Sequence, residues 1–218
     1  LEDFAQLNQQ LIDLEKQLEK LLQYKKLVKE YKDRFERVKQ DFILENIATN
    51  QYLEEAENII KGNIAIFQSF AEEFYQDKFS GITIENNEGI NQTRFEIKSK
   101  IQDDAGDAVN EVKIFSFDWT ILKSQHNHSI KFLFHDSRIT DGMDPRQVVT
   151  MLRIANDQCF ENDFQYIISL NENTMDDVKA EMNNVSDFKL LVENRIVLQL
   201  SDKSTEDKLL GIQVDLSY

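Results

Sequence analysis

Cysteine is almost absent from this 218-residue sequence, and the one present, Cys159, leaves no internal disulfide and no thiolate cluster for a metal. Proline also occurs once, at Pro145, and glycine six times. So few breakers predict long, regular elements joined by short turns. No run approaches the ~20 apolar residues of a membrane span, and no signal-peptide pattern opens the sequence. No membrane partner and a cytoplasmic location are therefore expected. Basic residues are scarce beside acidic ones, 25 against 40, for a formal charge of −15. A surface that acidic is a poor nonspecific DNA binder, because phosphate neutralisation needs Lys and Arg.

What is present suffices for a core. Hydrophobic residues make up 41% of the chain and include 15 Phe, which argues against disorder. The charge is uneven. Residues 1–39 carry nine Lys or Arg against eight acids, and residues 25–39 carry seven against three. That last stretch reads as a solvated coiled-coil face, and it is the only local candidate for a contact with double-stranded DNA.

The first sixty residues read as an arm. Leu7, Leu11, Leu14, Leu18 and Leu21 step by four and three, the seam pattern of a coiled coil. The series continues through Tyr24, Val28, Tyr31, Phe35, Val38 and Phe42, with a three-three stammer at Leu18, Leu21 and Tyr24. A helix of ~40 residues reaches about 60 Å, too long for the interior of a small domain. It needs a partner helix. Three parts are expected: a coiled-coil arm over 1–61, a connecting helix over 62–79 with Gly62 as a joint, and a globular lobe over 80–218.

That lobe reads as α/β. Ile82, Ile84, Phe95, Ile97 and Ile101 predict a β-hairpin around Asn86-Asn87 and Gly89. Asp107–Lys123 is apolar nearly all round and predicts a buried helix. Ile130–Phe134 predicts a strand, and Asp144-Pro145 looks like an N-cap with proline at the first helical position. The helix it starts should run to about Asn162. "FQYIISL", residues 164–170, predicts a fully buried strand. Short helices near 176–182 and 187–193 precede a strand at 195–200, and an edge strand at 211–218 ends the sequence. Strands alternating with helices imply βαβ units and a parallel sheet.

Ligands of open α/β sheets sit at the carboxyl ends of the strands. Asp136 and Asn171 both follow apolar strands directly, and Asp141 and Asp144 lie in the intervening loop. If the two strands are neighbours, these groups converge on one rim. Strand-end punctuation and a magnesium site both account for such acids, since magnesium takes a carboxylate or two beside phosphate oxygens. Other features favour bland readings. His126 and His128 have metal-like spacing without a third ligand. His135 suits a structural role, Cys159 has no local His, and Trp119 with its aromatic neighbours suits a core.

The order of arm, hairpin, buried helix, "IKFLFHDS", "DGMDPRQV" and "FQYIISLNEN" resembles the C-terminal half of ABC-type ATPase heads of the SMC, RecF and RecN class. More narrowly, it resembles a bacterial family of coiled-coil ATPases defined by a domain of unknown function and linked to multi-component anti-phage systems. The resemblance covers about residues 80–218. It implies a P-loop-NTPase-like lobe with a mixed sheet, binding ATP and Mg2+, whose engagement with a second head is relayed along the arm. Genome maintenance or phage defence would be the setting.

By this resemblance Asp136 is the Walker B aspartate and magnesium residue. Ser137 stands where a catalytic glutamate is expected, and Asn171 stands at the switch position usually held by His. Asp144 would be the D-loop acid. Asp104, Ala105 and Gly106 fall where the signature caps a γ-phosphate. No GxxxxGK-Ser/Thr occurs in these residues, so an N-terminal ATPase lobe of the same protein would be the first partner. A second head and other subunits would follow. Two alternatives stand beside this reading: a non-catalytic coiled-coil assembly module, and an independent magnesium-dependent phosphoryl-transfer or nuclease domain on Asp136, Asp141 and Asp144.

Overall fold

The computed structural model describes residues 2–88, 93–103, 105–182, 184–201 and 203–212. Its contacts fall into two compact units, Leu1–Glu57 with Glu85–Glu96, and Asn58–Ile84 with Ile97–Tyr218.

The first unit is dominated by α1 (Glu2–Glu55), one continuous helix of 54 residues. At 1.5 Å per residue it is about 80 Å long. Its apolar stripe is open to solvent from Phe4 to Tyr52. Near its end the helix is gripped by the tip of a hairpin. Asn86 Nδ2 donates to Asn50 Oδ1 at 3.1 Å, and Arg94 Nη1 donates to Asn46 Oδ1 at 3.0 Å. Arg94 also pairs with Glu45, and Tyr52 packs on Phe95 with ring centroids 5.9 Å apart. Thr49, buried here, returns its hydroxyl to Glu45 O at 2.7 Å.

The helical pattern gives way at Ala56, and α2 (Glu57–Phe74) follows without interruption at Gly62. The break is thus six residues ahead of the expected joint. A Cβ at Gly62 would meet nothing within 4 Å, so its glycine serves neither close packing nor a bend. The hairpin consists of β1 (Ser80–Asn86) and β2 (Phe95–Ile101). Asn87 N to Arg94 O and Gln102 N to Phe79 O bracket an antiparallel register. The expected turn at Gly89 falls on residues 89–92, outside the described residues.

In the second unit α3 (Asp107–Ser124), β3 (Phe132–His135), α4 (Pro145–Asn162) and β4 (Gln165–Ile168) build the centre. β3 and β4 pair in parallel, with Phe132 opposite Gln165 and His135 opposite Ile168, so β3–α4–β4 is the expected βαβ unit. α5 (Glu172–Glu181) and α6 (Val185–Leu191) close one side. α3 is buried along one face only. Val112, Phe115 and Trp119 are fully enclosed, while Ile114 and Ile121 are exposed, so the expectation of burial all round is corrected. Apolar residues on every face of a helix do not imply cover on every face.

Three further expectations change. The strand at 164–170 spans four residues and alternates between exposed and half-buried positions. It is not fully buried, because helices pack on one face of the pair only. Residues 195–200 form no strand. A 3-10 turn at Glu193–Arg195 leads into irregular chain with Val197 almost fully exposed. An apolar run without a neighbour to hydrogen-bond has no ladder to join. The closing strand at 211–218 falls mostly outside the described residues. The described strands form two separate two-stranded sheets rather than one mixed sheet.

The core behind β3 and β4 is aromatic. Trp119 lies 5.5 Å from Tyr166, 6.1 Å from Phe115 and 6.4 Å from Phe70 between centroids. Val148, Val149, Met151, Leu152 and Ala155 complete it from α4. No helix among the described residues is long and apolar enough to cross a membrane.

Candidate functional site

Because β3 and β4 run parallel in register, Asp136 and Ser169 leave neighbouring strands at the same carboxyl end. The ladder carries on one step past the strands, with Ser169 N donating to His135 O at 3.2 Å. Asp136 then caps a short 3-10 turn, Ser137–Thr140. Its Oδ1 accepts from Ser137 N at 2.6 Å, from Ser169 Oγ at 3.0 Å and from Ser137 Oγ at 3.3 Å. Ser169 Oγ in turn accepts from Ser137 N at 3.0 Å. The Ser169 hydroxyl, followed by the Ser137 N–H, holds the Asp136 carboxyl below its ordinary value. Among the described residues, all these bonds fall on Oδ1 and none on Oδ2.

Behind the rim, the buried His135 is locked between two partners. Its Nε2 lies 3.0 Å from Asp118 Oδ2 and its Nδ1 lies 2.9 Å from Tyr166 Oη. A carboxylate can only accept, so Nε2 carries the proton, and Nδ1 accepts from the tyrosine hydroxyl. Burial pushes the Tyr166 hydroxyl far above its ordinary value, which keeps it a donor. His135 thus ties α3 to β4 and fixes the strand end that carries Asp136. Its two bonds are those of a positioning residue, in keeping with the structural role read from the sequence.

Asp144 is occupied differently. After Gly142, whose φ of +80° lets the chain turn, Asp144 caps α4 in a reciprocal capping box. Gln147 N donates to Asp144 Oδ1 and Asp144 N donates to Gln147 Oε1, both at 3.0 Å. Arg146 Nη2 adds a bond to Oδ2 at 2.9 Å. Partial burial works to raise the carboxyl, but the Gln147 N–H and the Arg146 guanidinium prevail and hold it low. Asp141 is exposed, and its N–H closes the 3-10 turn on Arg138 O. Among the described residues no group of three or more His, Cys, Asp or Glu is placed to hold a metal ion.

Asn171 is exposed at the start of α5, two residues past Ser169, and its side chain makes no capping bond. Ala105 and Gly106 are exposed ahead of α3, where Gly106 has extended backbone at the cap position. Asp104 lies outside the described residues. Hydrogen bonds join Asp136 to Ser137 and Ser169, and none among the described residues joins it to Asp144 or Asn171. Ser169 went unnoticed in the sequence because serine near a strand end is ordinary. The parallel register is the signal that singles it out, since it sets residue 169 beside residue 136.

His126 and His128 stay apart from any site. His128 Nε2 lies 2.9 Å from Ile121 O and His126 Nε2 lies 3.1 Å from Asn127 Nδ2. A groove of about 350 Å³ is lined by Arg146, Arg153, Glu181 and Asp187 over Val149 and Met182. Its signs are balanced, and Arg146 is already held by Asp144, with Glu181 reinforcing its charge, so it is no anion cradle.

These features define an α/β domain with a βαβ centre and a fixed carboxylate at the carboxyl rim of its parallel strands. The chain belongs to the DUF2326 family, described as an uncharacterised protein conserved in bacteria, whose model matches residues 70–214. No curated protein matches. Among solved structures, one described as structural biochemistry of ATP-driven dimerization and DNA-stimulated activation of SMC ATPases is 15% identical with a TM-score of 0.42. The alignment covers 58% of this chain and 76% of that one. A second, an SmcHead bound to the C-winged helix domain of ScpA, is 14% identical with a TM-score of 0.43. It aligns over 62% of this chain, which spans only 43% of that one.

Proposed function

We propose that this chain is the C-terminal lobe of an SMC- or RecF-like ATP-binding head carrying a coiled-coil arm. In this reading, ATP-driven engagement of heads is relayed through α1 to DNA or to partner proteins, in genome maintenance or phage defence. The observation that supports it most is the rim of β3 and β4. Asp136 has one oxygen held by Ser137 and Ser169 and the other unengaged among the described residues, at the strand ends where α/β sheets take their ligands.

The residues fit a hydrated magnesium ion, because a single open carboxylate oxygen can order its water shell. Bound magnesium would neutralise charge on the β- and γ-phosphates. Asp136 would orient the ion's waters, while Asn171 would offer a neutral hydrogen bond near the terminal phosphate. Asp104, Ala105, Gly106 and Asp144 would face a second head. The phosphate cradle would come from an N-terminal lobe outside this sequence, since no GxxxxGK-Ser/Thr occurs in it. The lobe also has a surface to offer. Phe132, Phe134 and Ile167 stand exposed on one face of the parallel pair, and parallel sheets are ordinarily covered on both faces.

The reading is tested on the full-length gene product by magnesium-ATP binding in wild type and Asp136→Asn. An upstream P-loop, with binding lost in the variant, supports it. No P-loop and no binding would leave a second reading, an assembly module without nucleotide. Asp144 is the observation that favours this second reading, since one carboxylate oxygen caps α4 and the other pairs with Arg146.

A further inference from the structure

The seam of α1 is flanked by a row of lysines on one side. From Tyr24 onward, apolar residues recur at Tyr24, Val28, Tyr31, Phe35, Val38 and Phe42, alternately four and three apart. All six are exposed. With Val28, Phe35 and Phe42 at the a positions, Tyr24, Tyr31 and Val38 take the d positions. The residues that follow each d are Lys25, Lys32 and Lys39, and the residues that precede each a are Leu27, Arg34 and Asp41. Those flanking e and g positions choose partner and orientation in a coiled coil. Lys25, Lys32 and Lys39 make no ion pair or hydrogen bond among the described residues. A shallow apolar depression over Leu22 and Val28 is bordered by Lys25, Lys26, Lys29 and Lys32.

A second copy is a poor occupant. In a parallel pair, Arg34 of each helix would face Lys39 of the other. In an antiparallel pair centred on this stretch, the row of lysines would face itself. Both arrangements set like charges together, which destabilises the pairing. Duplex DNA fits no better, because the lysines border a Tyr, Phe and Val stripe, while the outward positions balance Lys26, Lys29 and Arg37 with Glu30, Asp33 and Glu36. We propose that residues 24–42 bind a helix of different sequence whose apolar seam is flanked by carboxylates at seven-residue intervals. Such a helix buries the aromatic stripe and neutralises Lys25, Lys32, Arg34 and Lys39 at once.

The test uses the whole 218-residue chain and two synthetic four-heptad helices with the same leucine seam. One carries Glu at every e and g position, the other Lys. The chain should bind the Glu helix about tenfold more tightly than the Lys helix at low salt, as expected for three or four flanking ion pairs. High salt should remove the preference. Changing Lys25, Lys32 and Lys39 together to Glu should reverse it, and changing them to Gln should abolish it, with helicity by circular dichroism unchanged in both. Equal affinity for the two helices overturns the proposal. So does dimerisation of the chain alone that vanishes in the Glu variant, or displacement of the Glu helix by a short DNA duplex.

Discussion

Asp144→Ala separates the structural role of this acid from any role at a nucleotide interface. The substitution removes the acceptor of the Gln147 N–H and frees one half of the capping box at the start of α4. Loss of an N-cap costs about 1–2 kcal/mol. The Arg146 pair adds little, because its side chains are 76% and 42% exposed. α4 supplies Val148, Val149, Met151, Leu152, Ile154 and Ala155 to the core, so fraying of its first turn reaches packed residues. A unit of this size should lose about 2–8 °C in midpoint, at roughly 2–4 °C per kcal/mol. Asn is also a good N-cap, so Asp144→Asn should cost about 0.5 kcal/mol or less. The sign with pH follows from a depressed carboxyl. Its charge contributes stability fully above the ordinary carboxylate range, and that contribution is lost as pH falls through the folded value. Urea titrations from neutral to acid pH should therefore show a steeper acid loss in wild type than in Asp144→Asn. Equal stability of the Ala and Asn variants, or an Ala cost near zero, would refute the capping account.

Two further outcomes follow from the rim. Ser169→Ala should raise the Asp136 carboxyl, because the largest stabilising bond to its charged form is gone, whereas Ser169→Thr should leave it low. Carbon-detected NMR titration of the carboxyl reads this directly, and an unmoved Asp136 in Ser169→Ala would remove Ser169 from the site. His135→Phe should cost about 1–3 kcal/mol by leaving the half-buried Tyr166 hydroxyl without its acceptor and Asp118 without its donor, and adding Tyr166→Phe should recover the tyrosine's part of the loss. Denaturant unfolding of His135→Phe, Tyr166→Phe and the double variant checks this, and independent, additive costs would contradict the shared bond.

Elements with a strong internal signal were readable from the sequence. The heptad steps from Leu7 to Phe42 marked α1 as a helix, Asp144-Pro145 marked the start of α4, and alternation around Ile82 and Ile97 marked the hairpin. Elements that depend on neighbours were not. "RIVLQL" has the composition of a strand, but no strand lies beside it. The break at Ala56 has neither proline nor glycine to announce it, while Gly62, the visible candidate, sits inside a helix. The rim was half legible. Asp136 stood out because it ends an apolar run, but Ser169 became visible only through strand register, a long-range property that no local pattern encodes.

The two oxygens of Asp136 answer different questions. Strand-end capping accounts fully for Oδ1, which takes the Ser137 N–H and the Ser169 hydroxyl. It gives no reason for an acid in preference to asparagine, since Asn caps such turns equally well. The unexplained part is therefore the charge and Oδ2, which is unengaged among the described residues, and Asp136→Asn isolates both. Its amide oxygen can keep the cap while its NH2 replaces the oxygen that would order a magnesium shell. If capping is the whole role, the variant folds and binds magnesium-ATP as wild type does in the full-length protein. If Oδ2 serves the ion, the folding midpoint stays where it was while magnesium-dependent nucleotide binding is lost. Loss of both together would mean that the charge holds the rim itself, through the serines, and that neither account of Asp136 is complete.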